Sequence, residues 1–516
     1  MPDSSAPIAH LEAALAAGRA DTAQLYELAG LKLAAGDAPG AITAYTRCLQ
    51  GAASPAIYNN LGAALIQAGR YEEAAAALQS ALALNPEYVR AWVNLGKAER
   101  EVGELARARV SLERALALSP DYVPALVNLG EVLAAAGNAP AAEAVLERAV
   151  RLEPRRAEAW SALGLARLQS GRTQQAVADL RRAVALAPDH ADAHANLAHA
   201  LFVSGDWSGA WPHFEYRARR HAHRGAFKPP AGMVRWDGEP CPDIELWLIG
   251  EQGLGDQIQF ARYARLVTER GIRCVLACDP RLVRLLAPAG LASRIVPLAD
   301  FPSLAASESS ARWLPLMSAP AWHSTTPETV PHAAGYLVAE RERVRAWETR
   351  LPRGMKRIAL AWAGNPRMET GRYAGRSPPL AALEPLLAVP YCAFVSLQKG
   401  PGEEQLDTAP FGASIARLAD LDSGSDAFLD TAAVLTCVDL LVTSDSGIAH
   451  LAGALGVPTW LCLMHAPDWR WMLDGTATPW YRSMRLFRQS SPGDWRSVYA
   501  DVAATLAAAP PWRAPR

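Results

Sequence analysis

Four segments of this 516-residue chain hold residue types that could do chemistry together. The first is Glu251-Gln252-Gly253-Leu254-Gly255-Asp256, between the apolar run IELWLIG and the helix-like QIQFARYARLV. Its glycines let backbone approach a ligand. A helix start favours a bound anion and an acidic side chain alike, so Asp256 has a local reading as an N-cap. The second is Thr443-Ser444-Asp445-Ser446-Gly447-Ile448-Ala449-His450, after the strand-like LLV. Ser446 and Gly447 would present a hydroxyl and backbone N–H groups at a helix start, which suits a diphosphate. Asp445 reads locally as a helix cap and His450 as a packing histidine. The third, WAGNPRMETGRYAGRSPPL, carries Arg367, Arg372 and Arg376. A guanidinium there could grip phosphate through two parallel hydrogen bonds, or be surface charge. The fourth, QKGPGEEQL, is a turn in which Lys399 could meet a phosphate and Glu403 or Glu404 could accept hydroxyl hydrogens. It also reads as a solvated turn. Trp469-Arg470-Trp471 and Trp480-Tyr481-Arg482 could stack on a base or sugar, or fill a core. Asp420-Leu421-Asp422 is read as a loop and not as a metal site.

The elements that must position these segments alternate. IELWLIG, RCVLACD, RIVPLAD, IALAWAG, CAFVSLQ, LLVTSD, PTWLCL and MRLF are short apolar runs separated by helix-like sequence. That alternation predicts doubly wound, mostly parallel sheets, with ligands at the carboxyl ends of the strands. A polar break at about 318–356 divides them. We expect one lobe at 244–335, an interlobe segment at 336–355, and a second lobe with a final helix at 356–508. Residues 223–243, rich in Pro, Gly, His and Arg, read as a linker.

Residues 1–222 read as a repeat array. Leu61-Gly62, Leu95-Gly96, Leu129-Gly130 and Leu163-Gly164 recur every 34 residues, and Leu197-Ala198 continues them. Gly69, Gly103, Gly137, Gly171 and Gly205 keep the period, as do Pro86, Pro120, Pro154 and Pro188. Each unit reads as two helices, the first closed by a Gly and the second stopped before a Pro. Residues 5–57 read as one to one-and-a-half degenerate units, giving five to six in all. Asn60, Asn94, Asn128 and Asn196 occupy one position of the first helix, and Ala162 interrupts the row. A carboxamide donates and accepts, so such a row could grip an extended polypeptide whatever its sequence.

Composition narrows the partners. Net charge is −1 and no long charge run occurs, which argues against nucleic acid or an anionic membrane. The start lacks a signal-peptide pattern, and 448–463 is broken by Gly456 and Pro458, so no membrane span is expected. Seven cysteines without a CxxC pair read as free thiols, with Cys274 and Cys278 on one strand face. They suit the reducing cytoplasm and packing rather than zinc.

The repeats resemble tetratricopeptide (TPR) units, and their NLG segments resemble those of O-GlcNAc transferase. There an asparagine ladder holds acceptor polypeptides. The HPxxH-type signature of that enzyme's catalytic half is absent, so only the repeats carry this resemblance. IGEQGLGDQIQFARYARLV and SDSGIAHLAGALGVPTWLCL resemble the heptosyltransferases of glycosyltransferase family 9. In order with WSGAWPHFEYRARR, WAGNPR, VSLQKGPGEEQL and PDWRWML, they resemble bacterial TPR proteins carrying such a domain. The resemblance implies a GT-B fold of two Rossmann-like lobes. It implies metal-independent, inverting transfer of a sugar from a nucleotide donor to an acceptor hydroxyl, on a protein held by the TPR groove. Asp256 would be the general base. Gly255, Ser446, Gly447 and His450 would lie at the phosphates and Asp445 at the sugar hydroxyls. Arg376 would replace the family's leaving-group lysine, and Glu403 or Glu404 would hold the ribose. Two alternatives stand beside this one: a TPR scaffold with an inactive or nucleotide-binding domain, and a transferase acting on a glycan or lipid-linked saccharide.

Overall fold

The computed structural model describes residues 5–16, 21–220, 229–239, 244–306, 310–366, 369 and 375–508. Cys241, Arg367, Arg372 and both ends of the expected linker lie outside them. The chain forms two compact units, Met1–Ala193 and His194–Arg516.

The first unit is helical throughout. A leading helix, Ser5–Ala16, precedes the pair Thr22–Ala34 and Ala38–Gly51, so residues 5–57 make one and a half units. Four regular pairs follow: Pro55–Gln67 with Tyr71–Leu84, Val89–Glu101 with Leu105–Leu118, Val123–Ala135 with Ala139–Leu152, and Ala157–Gln169 with Thr173–Leu186. The 34-residue Leu-Gly period has a steric cause. A Cβ on Gly130 would lie 2.3 Å from Leu146 Cγ in the facing helix, and Gly62, Gly96 and Gly164 meet Leu78, Leu112 and Leu180 at 2.5–2.6 Å. These leucines are fully buried, each worth about 1.5–3 kcal/mol of apolar burial. Gly137 closes its helix at φ +78°, a conformation other residues adopt at a cost. The prolines that stop the second helices are pinned by the next unit: Trp92 Nε1 donates to the Pro86 carbonyl at 2.8 Å, and Trp160 Nε1 to that of Pro154 at 2.9 Å.

The second unit holds two parallel sheets. The first contains β1 (Val234–Arg235), β2 (Glu245–Ile249), β3 (Arg273–Cys278), β4 (Arg294–Pro297) and β5 (Ala311–Pro315), in the order β1-β5-β2-β3-β4. The second contains β6 (Lys356–Ala361), β7 (Cys392–Ser396), β8 (Ile415–Arg417), β9 (Leu440–Ser444), β10 (Thr459–Leu463) and β11 (Met484–Arg488), in the order β11-β10-β9-β6-β7-β8. Every pairing is parallel. β2 and β9 are buried along their whole length, which is why Leu246–Ile249 and Leu440–Val442 read as apolar runs. Three strands were absent from the sequence expectation. β5 reads ARWLP, whose Arg312 and Pro315 hide a strand beside the central β2. β1 falls inside the expected linker and pairs with β5. β8 is three residues long at an edge.

The helices Ala191–Val203 and Trp207–Phe214 extend the repeat pattern, and from His194 onward they belong with the α/β part. Phe202, Trp207 and Trp211 pack edge-on or stacked against Trp469, and Trp207 stacks on Trp480 at 5.3 Å between centroids. The tryptophans at 469 and 480 are therefore core residues here. Buried Arg217 donates to Glu251 at 2.6 and 3.2 Å and to Glu215 at 3.0 Å. Glu251 thereby anchors the loop after β2 to the junction segment. Cys274 and Cys278 are buried on β3, where burial pushes the Cys278 thiol up to about 12. Among the described residues no helix is long and apolar enough to cross a membrane, and no group of three or more His, Cys, Asp or Glu could hold a metal ion.

Candidate functional site

The loops after β2 and β9 are two of the four segments that the sequence singled out, and the structure brings them together. The helix Leu254–Phe260 follows β2, and Gly447–Leu455 follows β9. A Cβ on Gly255 would lie 3.0 Å from Gly447 Cα and 3.0 Å from His450 Cδ2. Glycine at 255 is what lets the two helices meet, whereas a Cβ on Gly447 would make only ordinary contacts, 3.4 Å from Phe428 and 3.8 Å from Gly255. This gives Gly255 a packing role at their point of contact.

Asp256 is not the cap residue of its helix but the third residue inside it. Its Oδ2 accepts from the N–H of Gly253, the N-cap, at 3.0 Å. Its Oδ1 accepts from Arg470 Nη2 at 2.5 Å. Arg470 also donates through Nη1 to Asp468 at 2.8 Å and through Nε to Gln259 at 2.6 Å. One guanidinium thus joins the carboxyl edge of the first sheet to the segment after β10. Burial raises Asp256 above its ordinary value, and Arg470 and the Gly253 N–H offset only part of that. Burial also pushes Asp468 up, but Arg470 outweighs it and holds that carboxyl well below the usual range.

Asp445 belongs to the same cluster. Burial, then the charge of Asp468, pushes it up to about 6, while the Trp471 indole, Arg376 and Arg470 pull the other way. Two neighbouring carboxyls with pKa values driven apart are what a site needs for one to hold a proton while the other stays ionised. Ser446 is the N-cap of the helix Gly447–Leu455, yet its side chain makes no capping bond. Arg376 lies over the loop after β6: a Cβ on Gly364 would be 3.1 Å from its Nη2. Among the described residues, Arg376 Nε is a buried donor without a hydrogen-bond partner, and the buried Trp471 Nε1 has only Asp445 to interact with, outside full hydrogen-bond geometry. Such groups are costly unless a ligand or water meets them, and here both neighbour Asp445.

His450 is buried at 6 % exposure, and its Nδ1 lies 3.0 Å from the Tyr481 hydroxyl. Burial, reinforced by Arg470, lowers it to about 3, so the ring is neutral at physiological pH. It stacks on Trp471 at 5.4 Å. Behind it Arg262 is fully buried, with no carboxylate partner among the described residues. Arg262 Nη1 donates to the carbonyls of Trp480 at 2.8 Å and Pro331 at 3.2 Å, and its guanidinium lies 4.7 Å from the ring centres of both Tyr336 and Tyr481.

The QKGPGEEQL turn is engaged elsewhere. Lys399 donates to the carbonyls of Leu421 and Asp422. Glu403 accepts from the Gly400 N–H at 3.3 Å and Glu404 from the Gly402 N–H at 2.8 Å. Gln398 is the residue that ties this turn to the loop after β6. It accepts from Trp362 and Ala363 N–H and donates to Ala363 and Pro401 carbonyls. Asp422 caps the helix Leu429–Cys437 through the N–H groups of Asp430 and Thr431, which accounts for its carboxylate without a metal.

The asparagine row is partly wired internally. Asn60 Nδ2 donates to the Tyr26 hydroxyl at 2.7 Å, Asn59 to Asn60 at 3.0 Å, and Asn94 to Asn59 at 2.9 Å. Asn128 donates to the Pro124 carbonyl of its own helix at 2.8 Å. Asn196 is half-buried in the helix Ala191–Val203, in the second unit.

The chain therefore combines an N-terminal TPR array with a parallel-sheet α/β region. Comparison with known proteins bears on the first part. Tetratricopeptide-repeat family models match residues 59–123, 99–166 and 167–210. The chain is similar to Protein FlbA of Caulobacter vibrioides, 28% identical over 300 residues that cover 53% of this chain and 48% of that protein. It spans about half of that relative's length. Among solved structures, the thermophilic TPR protein TTC0263 of Thermus thermophilus is 27% identical, covering 35% of this chain and 99% of that one, with a TM-score of 0.32. MamA of Desulfovibrio magneticus RS-1 is 24% identical, covering 33% and 97%, with a TM-score of 0.28.

Proposed function

We propose that the α/β region is a GT-B glycosyltransferase domain of the heptosyltransferase type, transferring a sugar from a nucleotide-diphosphate donor to an acceptor hydroxyl. The observation that carries this reading is the cluster of Asp256, Arg470, Asp468, Asp445 and Arg376, with the unpartnered Arg376 Nε and the Trp471 indole beside Asp445. A leaving diphosphate develops charge in the transition state, and pre-placed guanidinium and indole N–H groups stabilise it there. Asp256 would take the acceptor hydroxyl's proton once donor phosphate competes for Arg470 and frees its Oδ1. The TPR array would present a protein acceptor, in keeping with its asparagine row.

One observation favours a second reading. Both carboxylate oxygens of Asp256 are occupied, by Arg470 and by the Gly253 N–H. A domain that binds nucleotide and performs no transfer would have this geometry too. Titration with a panel of nucleotide-diphosphate sugars, with nucleoside diphosphate release measured alongside, separates the two. Transfer predicts release that rises when acceptor protein is present. It also predicts that Asp256→Asn lowers turnover by about 10²–10⁴-fold while donor affinity stays within a factor of a few. Binding with no release under any condition supports the scaffold reading. Full turnover by Asp256→Asn removes Asp256 as the base.

A further inference from the structure

A cavity of about 310 Å³ lies apart from this cluster, lined by Trp211, Pro212, Glu215, Arg235, Trp322 and Ser324 among others. It opens at the carboxyl edge of the first sheet. Arg235 is the last residue of β1, and Trp322 and Ser324 follow β5 through the short helix Ala319–Trp322. That edge is where parallel α/β sheets bind ligands. Size sets the scale of the occupant. Ligand pockets run from roughly 300 to 1,000 Å³, so this one holds a single ring and not a nucleotide-diphosphate sugar.

The walls set the chemistry. Trp322 is 39% exposed, unusual for the largest apolar side chain. It is nonetheless held: it packs over Gly238, where a Cβ would lie 2.1 Å from its Cε3, and lies 6.0 Å from the Trp236 ring. Arg235 is anchored by Nη2 on Glu215, while its Nε and Nη1 meet no acceptor among the described residues. Glu215 and Glu251 together balance Arg235 and Arg217, so an occupant need carry no charge. Ser324, at φ +47°, is the left-handed residue that closes the helix Ala319–Trp322, with its N–H donating to the Ala321 carbonyl and that of Thr325 to Pro320. A fixed indole beside an anchored guanidinium with spare donors and a serine hydroxyl suits a polyhydroxylated ring. Its C–H face can pack on the indole while its hydroxyls accept from Arg235. An aromatic or aliphatic side chain would bury those donors unmet.

We propose that this cavity binds one neutral sugar ring, separately from the nucleotide-sugar site. The site does not depend on whether the domain catalyses transfer. The full chain is titrated with the methyl glycosides of glucose, galactose and N-acetylglucosamine, followed by saturation-transfer NMR. N-acetyltyrosine amide serves as the aromatic comparison and UDP as competitor. At least one glycoside binds, UDP does not displace it, and Trp322→Ala and Arg235→Gln each weaken it tenfold or more, with far-UV circular dichroism unchanged. Trp322→Phe, which keeps a ring and the fold, weakens it less. The proposal is overturned if no glycoside binds, if UDP displaces the glycoside, if only the tyrosine amide binds, or if affinity survives Trp322→Ala and Arg235→Gln.

Discussion

Arg470→Ala is the perturbation with the largest calculable effect. The guanidinium is 9% exposed and bonds Asp256, Asp468 and Gln259, with Asp468 at 7% and Asp256 at 22% exposure. Removing it leaves the Asp256 and Asp468 carboxylates close to each other, with only His199 still acting on Asp468. Breaking a buried pair from one side costs about 3–5 kcal/mol, and the partial exposure of Asp256 places the expected loss near the lower figure. At roughly 2 °C per kcal/mol for a unit of this size, melting falls by about 6–8 °C at neutral pH. The sign of the pH dependence is a second constraint. In the wild type Arg470 holds Asp468 below its unfolded value, so that stabilisation is present above an ordinary carboxyl pKa and is lost as pH falls. In the variant His199 and the Gly253 N–H offset burial only in part, both carboxyls rise, and protonation relieves the repulsion. The difference between the two proteins therefore shrinks as pH falls from about 7 to about 4.5. Differential scanning fluorimetry across that range measures it. A shift under about 1 °C at neutral pH, or one that does not change with pH, refutes the account of this cluster.

Three other outcomes are expected. Asp445, raised from 3.8 to about 6, costs up to about 3 kcal/mol at neutral pH. Its raised value means stability falls as pH rises from about 4 to 6, and Asp445→Asn should flatten that fall in urea unfolding. Gly130→Ala overpacks Leu146 and should cost about 1–3 kcal/mol, read by thermal circular dichroism, with Leu146→Ala in the same chain recovering part of it. Asn94→Ala should cost about 0.5–1.5 kcal/mol by losing its bond to Asn59. An unchanged melting curve would mean that the Tyr26–Asn60–Asn59–Asn94 chain carries no stability.

The repeat array was legible because its period is enforced by contact: a Gly every 34 residues meets a Leu sixteen positions later, and both are visible in the letters. The central strands were legible because burial on both faces leaves only apolar residues. β5 was not, since a strand that ends in Trp-Leu-Pro and begins with Ala-Arg lacks that signature. At the site, Asp256, Asp445, Ser446 and His450 stood out by their place after a strand. The partner that organises them did not. Arg470 lies 214 positions from Asp256, in a stretch whose tryptophans suggested stacking. Only the fold shows that its charge is what Asp256, Asp445 and Asp468 share. Likewise nothing local marks Arg262 as a buried cation held by carbonyls and rings.

The meeting of Gly255 with Gly447 bears on how the α/β unit can move. Side chains that interlock must unlock before two helices part, and that friction makes motion slow. Here the tightest contact sets the backbone of Gly255 on that of Gly447, with the edge of the His450 ring beside it. Resistance to separation falls on the bonds of Arg470 to Asp256 and Gln259 and of Arg262 to the Trp480 carbonyl. Separation of these two helix starts is therefore governed by polar bonds more than by apolar burial, and the contact should loosen most when Arg470 is removed.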